Sequence, residues 1–119
     1  MQTSTQKLGR YGEEVATHFL LQLGWQIIDR NWRGNRVELD IVALDGNTIV
    51  FCEVKTRRGT THGLPAEAVT PGKLNNIRRA ALEWLTCHDK YFSRIRIDVI
   101  GITVPSGQYP HIAHIRGVE

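Results

Sequence analysis

Two hydrophobic periods alternate along this chain, and the change from one to the other marks its elements. Across residues 8–23, Leu8, Val15, Ala16, Phe19, Leu20 and Leu23 recur at three- and four-residue spacing, which is one buried stripe on a helix. Gly24 is the expected stop. Glu14 falls opposite the stripe and Glu13 at its margin, from where it can point toward a neighbouring site. Gly9 and Gly12 each weaken a helix by about 1 kcal/mol relative to Ala. Either something approaches the backbone closely there or the helix begins later. Residues 25–29 read as a strand and 31–35, with Gly34, as a turn. Residues 36–44 and 48–56 read as two further strands around Asp45-Gly46-Asn47, residue types that tolerate the positive φ of a hairpin.

Residues 57–69, with Gly59, Gly63 and Pro65, read as a basic, mobile loop. Thr70 and Pro71 supply a cap and a first-turn proline for a helix whose buried stripe is Leu74, Ile77, Ala81, Trp84 and Leu85. In residues 95–102, Ile95, Ile97 and Val99 alternate with Arg96 and Asp98, the pattern of a strand. A turn-rich connection over 105–110 leads to a short final strand at 112–116. No repeat or linker divides the chain, so residues 1–119 are expected to form one domain. The order α, three strands, α, one or two strands predicts an α/β fold with a mixed central sheet flanked by helices.

Composition narrows the classes. A hydrophobic content of 41% is enough for a core and excludes a disordered segment. No apolar run approaches the roughly 20 residues of a membrane helix, and residues 1–10 lack an apolar signal core. Cys52 and Cys87 are the only cysteines and form no C-x-x-C pair, which points to two free buried thiols in a reducing cytoplasm. Fifteen Lys and Arg against 12 Asp and Glu give a net charge of +3, which permits a nucleic-acid partner without requiring one. Basic residues bracket the central stretch, with Arg30, Arg33 and Arg36 before it and Lys55, Arg57 and Arg58 after it. Lys73, Arg78 and Arg79 follow later.

The chemistry lies in residues 37–55. Side chains alternate along a strand, so Glu38 and Asp40 share a face, as do Glu53 and Lys55. A two- or four-residue loop between the strands puts Asp40 and Glu53 on one side. A three-residue loop without a bulge puts them on opposite sides. In the favourable registers both carboxylates reach one hard, oxygen-ligated cation such as Mg²⁺ or Mn²⁺. Such an ion polarises a phosphate oxygen and acidifies water. Lys55 then orients the attacking water or balances charge developing on phosphorus. Glu-x-Lys on a strand is common, and an exposed pair contributes only about 0–1 kcal/mol. The apolar run at 49–52 adds weight, because charge at the end of a strand covered on both faces is costly unless paired or metal-bound.

An ordered set of residues carries a resemblance. It comprises Gly9, Gly12, Glu13 and Ala16; Arg30-Asn31; Glu38-Leu39-Asp40-Ile41; Phe51, Glu53-Val54-Lys55 and Arg57; Gly63, Ala68-Val69 and Lys73; and Arg96 with Asp98. The set covers nearly the whole chain and resembles the YraN-like family of small bacterial proteins. That family is similar to the PD-(D/E)xK nuclease superfamily. The resemblance implies a restriction-endonuclease-like three-layer core. It implies that Glu13, Asp40, Glu53 and Lys55 take the catalytic positions, with Asp40, Glu53 and Glu13 on the metal. It also implies a likeness to archaeal Holliday-junction resolvases, which act as homodimers. Val37 stands where the family often has Gly, and Cys52 where it often has Val. Neither change touches a ligand position.

The resulting expectation is a Mg²⁺- or Mn²⁺-dependent endonuclease acting on DNA, branched DNA included. Arg57, Arg58 and Lys73 would contact the nucleic acid. The alternatives are a binding module that kept the fold without cutting, and an interaction protein whose acids form salt bridges. Outside the site, His111 and His114 read as edge-strand residues without a nearby acid, and Asp98 as solvated or Arg-paired. Trp25 and Trp84 read as core, and Trp32 as the one tryptophan placed to stack on a base.

Overall fold

Four consecutive apolar residues, Ile49, Val50, Phe51 and Cys52, are buried at the centre of the molecule, so the strand that carries them must be covered on both faces. The computed structural model describes residues 1–59, 69–89 and 91–118. Its elements are α1 (Ser4–Gln22), β1 (Gln26–Arg33), β2 (Glu38–Asp45), β3 (Thr48–Arg58), α2 (Pro71–His88), β4 (Arg94–Val104) and β5 (His111–Ile115). The five strands form one sheet in the order β1-β2-β3-β4-β5. β3 pairs parallel to β4, and the other neighbours are antiparallel. The sheet is therefore mixed, and β3–α2–β4 is its crossover unit.

Two apolar layers sandwich the sheet. On one face, Ala16 and Leu20 of α1 pack with Ile41, Ala43, Val50, Cys52, Ile100 and Ile102. On the other, Ile77, Ala80, Ala81 and Trp84 of α2 pack with Val42, Ile49, Phe51 and Ile97. This is a three-layer α/β core. No helix among the described residues is long and apolar enough to cross a membrane.

The helix ends follow local chemistry. α1 starts earlier than its apolar stripe suggests, because Thr3 and Gln6 form a reciprocal capping box, which satisfies two otherwise orphaned N–H groups. It ends in a Schellman motif. Gly24, at φ 87°, donates to the Leu21 carbonyl, and Trp25 donates to that of Leu20. Thr70 caps α2 with Pro71 in the first turn, as its sequence predicts.

β1 is longer than expected. Trp32 and Arg33 pair with Leu39 and Glu38, so much of the span read as a turn is strand. Edge pairing uses backbone groups and tolerates the polar run. A register shift between Ile27 and Asp29 accompanies a turn of Asp29 toward α2, where its Oδ2 accepts from the Trp84 indole at 3.1 Å.

Asp98 corrects another expectation. Alternation with Ile97 and Val99 suggested a solvated or Arg-paired side chain, and the pairing is present, but Asp98 is 0% exposed. Its carboxylate accepts from Arg96 Nε at 2.8 Å, Arg96 Nη2 at 3.1 Å, His114 Nε2 at 2.8 Å and the Gly117 N–H at 3.0 Å. His114 therefore does have an acid beside it, and it sits edge-on to Phe19 and Trp25. Burial pushes the Asp98 carboxyl up, but the bonds from His114, Arg96 and Gly117 outweigh it and hold the group below its ordinary value. Cys52 is buried as expected, whereas Cys87 is exposed because it falls outside the buried stripe of α2.

Two outcomes are expected from this packing. A Cβ on Gly12 would run into Thr56 of β3, whereas one on Gly9 meets nothing. Gly12→Ala should therefore destabilise by about 1–3 kcal/mol through overpacking, and Gly9→Ala should stabilise by up to about 1 kcal/mol, both read by urea unfolding. Asp98→Ala should cost about 1–3 kcal/mol, because it leaves the enclosed His114 imidazole and the Gly117 N–H without their acceptor, while Arg96 keeps Asp45. In the wild type this contribution is full above the ordinary carboxylate value of 3.8 and is lost as pH falls through the lower folded value. An acid titration that shows the same midpoint for wild type and Asp98→Ala would contradict it.

Candidate active site at the β2–β3 split

The two strands that carry the acids are joined by a two-residue connection. Asp45 pairs with Thr48 around Gly46-Asn47, and pairing continues through Leu44–Ile49, Ala43–Val50 and Val42–Phe51 to Ile41–Cys52. The next step in that register sets Asp40 against Glu53. Gly46, at φ 61°, provides the positive φ that so short a turn demands. The register left open by the sequence is therefore the favourable one.

Beyond Ile41–Cys52 the ladder stops, and the Asp40 side chain takes its place. Its Oδ2 accepts from the Val54 N–H at 2.8 Å. Val50, Cys52 and Val54 pack on the α1 side, so Glu53 and Lys55 project toward the α2 side. Glu53 Oε1 there lies 3.7 Å from Lys73 Nζ. Lys55 is exposed on β3, opposite Gly101 of β4.

The acids repel one another in a poorly solvated place. Burial first, then the Asp40 charge, pushes Glu53 up to about 7, against the pull of Lys73. Burial also raises Asp40, the Val54 N–H lowers it in part, and the Glu38 charge adds to the rise. Glu13, brought in by α1, is raised by burial and by Asp40, against hydrogen bonding with Asn31 and the charge of Arg30. It shares a cavity of about 260 Å³ with Asn31, Arg33, Glu38 and Asp40. A cation placed between Asp40 and Glu53 would relieve this repulsion.

The donor set fits a hard cation. Both side chains offer carboxylate oxygen, and Mg²⁺ is commonly held by one or two carboxylates with waters and substrate phosphates completing the shell. Among the described residues no group of three or more His, Cys, Asp or Glu side chains is gathered as a ready metal cage.

Sequence reasoning missed one participant and half of another. Arg33 was read as part of a turn, yet it lines both cavities beside the acids, as does Glu38. The parity of Glu38 with Asp40 had already put these two on one face. Lys73 was read only as a nucleic-acid contact, and its pairing with Glu53 depends on how α2 docks, which sequence spacing does not reveal. Arg57 and Arg58 end β3 opposite Thr103 and Val104. Residues 60–68 of the basic loop, Gly63 included, lie outside the described residues. Trp32 is half-buried against the α2-side core, so much of its ring is already occupied.

A mixed five-stranded sheet between two helices, with acids and a lysine at the split of two neighbouring strands, is the architecture of the restriction-endonuclease-like α/β class. The chain belongs to the family described as uncharacterised protein family UPF0102, whose model matches residues 12–102, a span that contains every acid of the site. It is similar to a UPF0102 protein of Rhodococcus opacus, at 48% identity over 92% of each chain. It is also similar to one of Frankia casuarinae, at 49% identity over 92% of this chain and 93% of the other, and to one of Mycolicibacterium smegmatis, at 49% over 94% and 92%.

The electrostatics predict a pH-dependent substitution effect. Glu53 ionises near 4.5 when unfolded and at about 7 when folded, so its charge destabilises the metal-free protein progressively between those values and fully above them. Glu53→Gln should therefore be more stable than wild type by about 1–2 kcal/mol at pH 8 without divalent ions, and the difference should close below pH 4.5. Urea unfolding at stepped pH checks this, and a difference that does not change with pH would contradict it.

Proposed function

We propose that this protein is a divalent-metal-dependent nuclease that hydrolyses phosphodiester bonds in DNA. The observation that carries the reading is the placement of Asp40 against Glu53, both half-buried, both pushed toward the neutral form and both held on strands of a packed sheet. Rigid elements hold a catalytic constellation more closely than loops do. Neighbouring carboxylates whose ionisation is disfavoured by burial and by one another, beside a cavity, are a signature of functional sites.

Asp40 and Glu53 would hold Mg²⁺ or Mn²⁺, and Glu13 would assist from the α1 side. When bound, the ion supplies Lewis-acid chemistry at the phosphate. Lys55 presents its ammonium on the Glu53 side of β3, where it would orient the attacking water and balance negative charge developing on phosphorus. The Val54 N–H fixes the rotamer of Asp40. Lys73 neutralises part of the Glu53 charge, which lets a polyanion approach. Arg57 and Arg58 would contact phosphates and set the position of the DNA without reading its sequence.

The Lys73–Glu53 ion pair favours a second reading, in which the site is neutralised internally and the protein binds DNA without cutting it. That reading predicts salt-sensitive binding and no metal-dependent turnover.

Incubation with linear, flapped and four-way DNA in Mg²⁺ or Mn²⁺ separates the two. Cleavage is expected, and Asp40→Asn, Glu53→Gln and Lys55→Ala should each lower it by about 100-fold or more while the circular dichroism spectrum stays native. Mn²⁺ at about 100 times its Kd should stabilise the wild type by roughly 2.7 kcal/mol and leave Asp40→Asn unchanged. Cleavage at wild-type rate in both acid variants would remove the site assignment.

A further inference from the structure

Beside Glu53 lies a second cavity, of about 410 Å³, between the β1–β2 turn and the first turns of α2. Its composition differs from that of the acid cluster. Val37 and Ile77, 8% and 4% exposed, give it an apolar floor, and Asn76 adds an amide. Arg33, Arg36 and Lys73 form a cationic rim and are all exposed. Among the described residues, no side-chain hydrogen bond or salt bridge engages the guanidinium of Arg33 or Arg36, whereas Lys73 reaches Glu53.

Arg36 also holds an unusual backbone. Its φ is 61°, in the left-handed region where an arginine is uncommon and glycine is at ease. Local folding alone would favour glycine here, yet the position carries a cation that faces the cavity.

We propose that this cavity receives one unpaired nucleotide of the DNA strand that carries the scissile phosphate. The base lies on Val37 and Ile77 beside the Asn76 amide, and the nucleotide's phosphate lies among Arg33, Arg36 and Lys73. This inference rests on the nuclease reading and specifies its substrate. The volume falls at the small end of ligand pockets, roughly 300–1,000 Å³, which suits a single nucleotide and not a duplex. An apolar floor accepts the face of any base, and cations on the rim accept phosphate without regard to sequence. A base still stacked and paired in a duplex is not available to such a cavity, so the substrate is DNA with a frayed, overhanging or branched strand. Glu38 and Glu53 line the same cavity and repel phosphate, which confines the backbone to the cationic rim. Lys73 spans the cavity and the acid pair, and so links the bound nucleotide to the reacting phosphate.

Fluorescence anisotropy in EDTA, where metal-dependent cleavage is absent, tests the proposal with a blunt duplex and the same duplex bearing a single-stranded overhang. The wild type should bind the overhang substrate at least 10-fold more tightly. Asn76→Ala should reduce that preference to below 3-fold and leave blunt-duplex binding unchanged. Arg36→Gly should reduce it as well while keeping or raising Tm, because glycine suits the backbone at that position. Equal wild-type affinity for the two substrates, or the preference kept in both variants, overturns the inference. Equal wild-type affinity with Mg²⁺-dependent cleavage intact overturns it and leaves the nuclease reading standing. A variant-sensitive preference with no cleavage in Mg²⁺ or Mn²⁺ supports the nucleotide site and overturns the nuclease reading alone.

Discussion

The two-residue connection between β2 and β3 is the constraint on which the rest of the site depends. Side chains alternate strictly along a strand, so a slip of one residue would send Asp40 and Glu53 to opposite faces of the sheet. The slip is prevented twice. Gly46-Asn47 closes the hairpin with Asp45 against Thr48. The buried run Ile49–Cys52 then meets apolar partners on both faces, and a one-residue slip would draw Thr48 or Glu53 into that run. The same packing that makes β3 a central strand fixes the distance and direction of the acids at its far end.

Two groups of buried acid show how differently the fold treats charge. Asp98 is enclosed, but each of its oxygens meets donors from Arg96, His114 or Gly117, and its carboxyl is held low. That is an ionised group whose partners match it, and it ties β4, β5 and the segment after β5 together beneath Trp25. Asp40 and Glu53 receive one backbone N–H and one lysine between them, at 2.8 and 3.7 Å, and both are raised. The contrast separates an acid that stabilises the fold from acids that the fold holds against their own repulsion. The α1- and α2-side cores supply the rigidity that keeps the second pair in place, and stability of this kind is commonly traded for function.

α1 and α2 complete the site from opposite faces. Gly12 lets α1 lie close to Thr56 of β3, which brings Glu13 to the cavity it shares with Asp40. On the other face the first turns of α2 deliver Lys73 beside Glu53. Where β2 and β3 separate, groups from both layers approach one place. A continuous ladder would have kept the two faces apart.

Much of this was legible in the residues alone. The helix periods located α1 and α2, and Gly24, Thr70 and Pro71 marked ends because capping and φ are local properties. The apolar run at 49–52 identified the central strand, and Asp40, Glu53 and Lys55 stood out as charges at its margin. Other features were out of reach for a stated reason. The extension of β1 through Arg33 depends on backbone pairing, which leaves little trace in side-chain pattern. The burial of Asp98 depends on a histidine sixteen residues away and on a β5 that pairs with β4. The Lys73–Glu53 contact and the cavity of Arg33, Arg36 and Asn76 depend on how α2 crosses the sheet. The sequence by itself determined the elements, the parity of the acids and the family, because periodicity, turn chemistry and residue identity act over a few positions. Only the structure decided the register that joins Asp40 to Glu53, because Asp45-Gly46-Asn47 is compatible with more than one loop length, and which cations meet them, because that comes from packing between segments far apart in the chain.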